Sequence, residues 1–180
     1  MRGLVFSEFL EFVEQAAGPD VVDDMLDGCD LDSGGAYTSV GNYDHGEIIK
    51  MVTFLNQATG NEVSQMVHDF GRYLFGQLAS SHSDVIGDET KILDFLEGIE
   101  THIHKEVRKL YPDAELPIFD TERHDSKNLT MDYESSRPFA DLAHGMIMGA
   151  SDHFSKTIKV ERQDKPANGV FRTSFHVSLT

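Results

Sequence analysis

The sequence predicts an α+β fold in two lobes, a helical N-terminal lobe packed on a C-terminal lobe with an antiparallel sheet and helices. Three observations predict it. Apolar residues recur every three or four positions as far as Leu110. After Pro117 the pattern changes to short extended runs. The last segment alternates on either side of Asn168-Gly169, a hairpin turn signal.

Leu4, Phe6, Phe9, Leu10, Phe12 and Val13 lie over one broad face of a first helix that stops near Gly18-Pro19. A second helix around Val21 to Leu26 runs into Asp30-Leu-Asp-Ser-Gly-Gly-Ala-Tyr, which is turn chemistry. A third spans about His45 to Ala58. A fourth begins near Asn61 and carries Val63, Met66, Val67, Phe70, Leu74 and Phe75. One long amphipathic helix is expected from about Asp88 to Leu110, with Ile92, Leu96, Ile99, Ile103, Val107 and Leu110 as its stripe and Tyr111-Pro112 as its end. Ile118 to Glu122 and Asn128 to Tyr133 read as strands, and Phe139 to about Phe154 as helix. A closing hairpin pairs Thr157 to Arg162 with Val170 to Leu179. The whole is expected to form one domain over 1–180, with a helical lobe to about residue 60 and a sheet-containing lobe from about 61.

With 39% apolar and 26% charged residues in 180, the chain can bury a sizeable core. Its net charge of -16 comes from 31 acidic against 15 basic residues. Such a surface repels phosphate backbones and anionic headgroups, so neither nucleic acid nor membrane is an expected partner. A lone cysteine, Cys29, excludes an internal disulfide and a thiolate zinc cage and suits a reducing compartment. The first residues meet Glu8 and Glu11 too soon for a secretory segment, and no apolar run approaches the ~20 residues that span a bilayer. A soluble, cytoplasmic protein is expected.

Few residue groups suggest chemistry. The Asp30-x-Asp32 loop has Gly34 and Gly41 where a calcium loop needs its fifth and twelfth ligands, so it reads as an acidic surface loop. His102 and His104 are two apart on the long helix, which turns them about 200° apart, so they cannot chelate one metal together. They flank the apolar stripe from opposite sides, and periodicity does not choose between them. A partly buried, hydrogen-bonded histidine is the plainer reading of either. Tyr133-x-Ser135-x-Arg137 is more informative. In an extended segment the three project to one side and form a receptor for carboxylates, with Arg137 able to fork two oxygens; a solvated strand face is the plainer alternative. Cys29 sits among acids and reads as unreactive. The other histidines share no metal spacing, and no Ser-His-Asp grouping, phosphate loop or dinucleotide-binding glycine set is evident.

Two features in this order resemble the heme-nitric oxide/oxygen-binding (H-NOX) family: His104-Lys-Glu-Val-Arg-Lys-Leu-Tyr111-Pro112-Asp-Ala-Glu-Leu-Pro117, then Tyr133-x-Ser135-x-Arg137 followed by a helix. The opening Met-Arg-Gly-Leu-Val-Phe-Ser-Glu-Phe-Leu is similar to the family's first helix. The resemblance runs over essentially the whole chain and implies that no output domain is fused. It implies a ferrous haem b between the lobes, with His104 as the iron ligand and His102 as an outward or outer-sphere residue. It implies that Tyr133, Ser135 and Arg137 bind the haem propionates and that Pro117 presses on the macrocycle. Physically, such a plate with two carboxylates asks for an apolar slot, an axial imidazole and a cationic clamp.

The resemblance also implies where the gas is chosen. Oxygen-binding members place a tyrosine donor on the helix after Y-x-S-x-R, and here Leu142 aligns with it; Val5 and Phe9 line the same pocket. An apolar pocket disfavours oxygen, so nitric oxide is the expected ligand, with carbon monoxide as a further one. By kinship, the gas breaks the Fe–His104 bond and shifts the lobes, and the protein reports without turnover to a histidine kinase or a cyclic-di-nucleotide signalling enzyme. An oxygen sensor of the same fold and a haem-free adaptor are the alternatives.

Overall fold

A computed structural model describes residues 1–86, 91–166 and 169–180. The helices α1 (Gly3–Ala17), α2 (Pro19–Gly28), α3 (Gly46–Thr59) and α4 (Val63–Ser81) come first. Gly18, at φ 92°, ends α1, and Pro19 starts α2 where its missing N–H costs nothing. Gly60, in the left-handed region, caps α3. The loop before α3 is pinned from inside by Glu47, which is 4% exposed. Its carboxylate accepts hydrogen bonds from the Ser33 N–H and hydroxyl and from the Tyr37 hydroxyl. Burial first, then that hydrogen bond, pushes the Tyr37 phenol up.

Two apolar clusters hold the molecule together. One gathers Phe6, Phe9, Val13, Met25, Met51, Val52, Phe70 and Leu74 from α1 to α4. The other gathers Phe75, Leu93, Leu96, Met131, Tyr133, Ile147, Phe175 and Val177. Neighbouring residues of α4 thus serve both clusters, and that helix packs along α8 (Ala140–His153).

The sheet is four-stranded and antiparallel in the order β1-β2-β4-β3: β1 (Ile118–Arg123), β2 (Asn128–Ser135), β3 (Ile158–Lys165) and β4 (Phe171–Leu179). Its register sets Tyr133 opposite Phe119 on one side and Thr173 on the other. Alternation places Leu129, Met131, Tyr133, Phe175 and Val177 on the buried face. Asn168 of the expected turn lies outside the described residues.

The long helix is not continuous. A four-residue α5 (Ser83–Ile86) precedes it, and the expected start at Asp88 lies outside the described residues. Its described part runs as α6 (Ile92–Glu97), a π-helical segment (Ile99–Ile103) and α7 (His104–Leu110). The His104 N–H reaches the Ile99 carbonyl, a fifth-neighbour bond that puts one extra residue into that turn. The stripe counted at α-helical spacing is therefore offset beyond Ile103. Ile92 and Leu96 are buried, whereas Leu110 is 56% exposed. At the far end of α7 the Arg2 guanidinium lies 4.5 Å over the Tyr111 ring and joins the chain start to this helix. No helix among the described residues is long and apolar enough to cross a membrane.

Candidate functional site

His104 opens α7 directly after the π-helical turn, and its side chain is 12% exposed. Its Nδ1 lies 2.9 Å from Glu100 Oε2, one helical step back. Nδ1 donates and the carboxylate accepts, which leaves the Nε2 lone pair available; Nε2 takes no hydrogen bond among the described residues. Burial holds the imidazole's pKa below its usual value, against the pull of Glu100. Burial alone would raise the Glu100 carboxyl, but hydrogen bonds from His104 and Arg108 bring it below the usual range. His102, in contrast, is exposed and bonds Thr101 at 2.9 Å. The extra residue in the π-helical turn is what periodicity alone did not reveal.

His104 reaches the sheet through aromatic rings. Its ring centroid is 5.9 Å from Phe119, and Phe119 is 5.6 Å from Tyr133. Pro117, half-buried, immediately precedes β1. Tyr133, Ser135 and Arg137 meet, though by a different route from simple alternation. Strand β2 ends at Ser135, and the chain then bends so that the Arg137 N–H donates to Ser135 Oγ at 3.1 Å. The Tyr133 hydroxyl donates to the Arg137 carbonyl at 3.4 Å. The Arg137 side chain is only 13% exposed, yet its guanidinium holds the carboxylate of Glu115, a side chain that is 72% exposed.

Beside this group lies a small apolar pocket, bounded by Met1, Val5, Phe9, Ile48, Val52, Val67, Phe70, Phe139 and Leu142. It brings Val5, Phe9 and Leu142 together; His104 is not in its wall. Met1 and Phe139 tie it to the arginine. Phe139 follows Arg137 by two residues, and the Met1 amino group is depressed by burial and then by the Arg137 charge. Met1, Phe139 and Glu100 escaped the sequence reading. Only Glu100, four residues before His104, had a spacing that could have found it.

His144 does not line this pocket. Its ring lies 4.8 Å from His68 on α4 and 5.8 Å from Phe175. Burial, then the His68 and Arg162 charges, hold its pKa down. The native state therefore keeps His144 neutral, while the unfolded chain takes up a proton near pH 6.5. Stability is complete above that pH and falls as pH drops toward the depressed native value. His104 adds to the same window. The urea midpoint is expected to fall between pH 7 and pH 5.5 and to fall less in His144→Gln; equal slopes for the two proteins would refute this.

The residues fit the group that the resemblance implies. An imidazole with an unbonded Nε2, a nearly buried guanidinium already carrying a carboxylate, and an apolar wall are the donor set for a metal-bearing apolar plate with acidic edges.

Comparison with known proteins points the same way. A family profile described as Haem-NO-binding matches residues 2–162. The chain is similar to the Fe(II) unliganded H-NOX protein from K. algicida at 30% identity and TM-score 0.93, covering 100% of this chain and 97% of that one. It is similar also to an H-NOX protein from S. oneidensis in the Fe(II)NO ligation state, at 26% identity and TM-score 0.91, covering 100% and 99%. No curated protein matches the sequence. A match over this much of the chain, together with the two-lobed α+β architecture, decides the matter: the chain belongs to the Haem-NO-binding (H-NOX) family and has the fold of haem-binding gas sensors.

Proposed function

We propose that this protein is a cytoplasmic nitric oxide sensor that carries haem b on His104. In this reading Tyr133, Ser135 and Arg137 hold the propionates, Pro117 presses on the macrocycle, and Val5, Phe9 and Leu142 face the gas. The observation that carries the choice of gas is the pocket wall, which is apolar at every lining position, including Leu142. Oxygen held on iron gathers negative charge and is retained by a hydrogen-bond donor; nitric oxide needs no such help.

Ferrous haem, when bound, would supply a metal that takes up nitric oxide and whose hold on the His104 imidazole the gas would loosen. The chain supplies the rest. His104 would stay tied to Glu100 and move with α7, while Arg137 would keep its hold from the end of β2. The two lobes, to about residue 60 and from about 61, then shift as rigid bodies, a bistable arrangement biased by a ligand. The reader is a separate histidine kinase or cyclic-di-nucleotide signalling enzyme, and the sensor itself turns nothing over. The S. oneidensis relative supports the reading, since that protein was crystallised in an Fe(II)NO state.

Absorption spectra of reduced protein test it. Nitric oxide is expected to move the Soret band to that of a five-coordinate iron, and exposure to air to give no stable oxygen-bound spectrum. Leu142→Tyr places a phenol in the pocket wall, and a hydrogen bond to a charged acceptor stabilises by roughly 1.5–3 kcal/mol, so oxygen affinity should rise about 10- to 100-fold. A wild-type protein that holds oxygen in air would instead be an oxygen sensor, and one that purifies colourless with haem supplied would be an adaptor.

A further inference from the structure

Glu100 is the second residue of the π-helical segment, four before the His104 that opens α7, and it binds three partners at once. Oε2 accepts from His104 Nδ1 at 2.9 Å and from the Phe119 backbone N–H at 3.4 Å. Oε1 accepts from Arg108 Nη2 at 2.8 Å. Residues 100, 104 and 108 therefore form a carboxylate flanked by an imidazole and a guanidinium along one edge of the helix, and the carboxylate also touches the first residues of β1.

A carboxylate on the far nitrogen of an imidazole does three things to whatever the near nitrogen binds. It selects the tautomer with the lone pair on Nε2, it restrains ring rotation, and it raises the basicity of Nε2 by drawing on the Nδ1 proton. Arg108 opposes the third effect, because a cation sharing the carboxylate reduces the charge that Glu100 presents to His104.

We propose that Glu100 is a positioning residue that sets the strength of the His104 tether, with Arg108 as the counterweight that keeps the tether weak enough to break. This rests on the reading of His104 as the iron ligand. Glu100 touches neither the group that His104 would bind nor the gas; it acts through the imidazole. The bond to Phe119 gives it a second effect, since the carboxylate that holds the ring also fastens the helix to the sheet.

Two substitutions should act in opposite directions. In Glu100→Gln a neutral amide replaces the carboxylate, so the iron–histidine stretching band of the reduced protein, read by resonance Raman, should move to lower frequency. Transfer of haem to an apomyoglobin acceptor should speed by roughly 10- to 100-fold, the usual effect of removing such a partner. In Arg108→Ala the carboxylate is left to His104 alone. The band should then move to higher frequency, and the fraction of five-coordinate iron at limiting nitric oxide should fall. Arg108 is partly exposed, so its removal leaves the fold in place; circular dichroism checks this for both variants. A band unmoved in both variants, or moved the same way in both, would overturn the proposal. Absence of an iron–histidine band from the wild-type protein, or its survival in His104→Ala, would instead overturn the reading of His104 itself.

Discussion

His104→Ala is expected to yield a folded protein that no longer retains haem. The imidazole is 12% exposed, hydrogen-bonds Glu100 and lies 5.9 Å from the Phe119 ring. Its removal trims one mostly buried ring but leaves the residues of both apolar clusters in place, so the chain should still fold. The cost to the proposed cofactor is large, because removing even an outer-sphere partner of a metal ligand typically costs about 10- to 100-fold in affinity, and here the ligand itself is gone. Haem content after gel filtration should fall at least that far, with the melting curve of the haem-free protein preserved. Free imidazole added with haem should restore a Soret band by entering the space that the side chain left. His102→Ala is the control, since that ring is exposed and bonded to Thr101, and its spectrum should match the wild type. A His104→Ala protein that kept its haem and its spectrum would move the ligand elsewhere.

The largest stability effect is expected at the contact of α4 with α8. A Cβ on Gly145 would stand 1.9 Å from the His68 carbonyl oxygen, 2.8 Å from its carbon and 3.0 Å from the Arg72 nitrogen. These are backbone atoms of a packed helix and cannot rotate aside. Gly71 answers from the other helix, where a Cβ would meet the Leu142 carbonyl at 2.3 Å. Overpacking of this kind costs about 1–3 kcal/mol or more, while replacing a helical glycine by alanine returns about 1 kcal/mol. With a backbone contact at 1.9 Å, Gly145→Ala belongs at the upper end of that cost, so the clash should win by about 2 kcal/mol and lower the melting temperature by roughly 4–8 °C in a chain of this size. Gly76→Ala, on the same α4 but with nothing within 4 Å of its Cβ, should instead stabilise by up to about 1 kcal/mol. Thermal melts of the two variants decide it, and a Gly145→Ala protein as stable as wild type would mean that the helices can part without cost. The contact matters to the site because Leu142, in the pocket wall, rides on α8 three residues before Gly145.

Much of this architecture was legible because its signals are local. The turn at Gly18-Pro19, the apolar faces of α1 and α4 and the alternation of β4 each follow from a few neighbouring residues. The order of strands in the sheet was not, since β2 pairs with β4 across a whole helix and nothing within either strand names its partner. Nor was the break at Ile99–Ile103. A stripe at spacings of three and four fits an unbroken helix as well as one with a wide turn, and packing against β1 chooses between them. The Tyr133, Ser135 and Arg137 group was found by a period of two, although the strand stops at Ser135 and a hydrogen-bonded bend completes the cluster.

From its residues the sequence determined that there would be a helical part and a sheet part, that a phenol, a hydroxyl and a guanidinium would lie close together, and that no tyrosine would follow Tyr133 to serve as a donor. The family resemblance pointed to His104 and to Val5, Phe9 and Leu142, but tertiary structure alone decided which carboxylate holds the imidazole and which further residues wall the pocket. Those outcomes depend on one extra residue in a helical turn and on side chains that approach from distant parts of the chain, neither of which leaves a periodic trace.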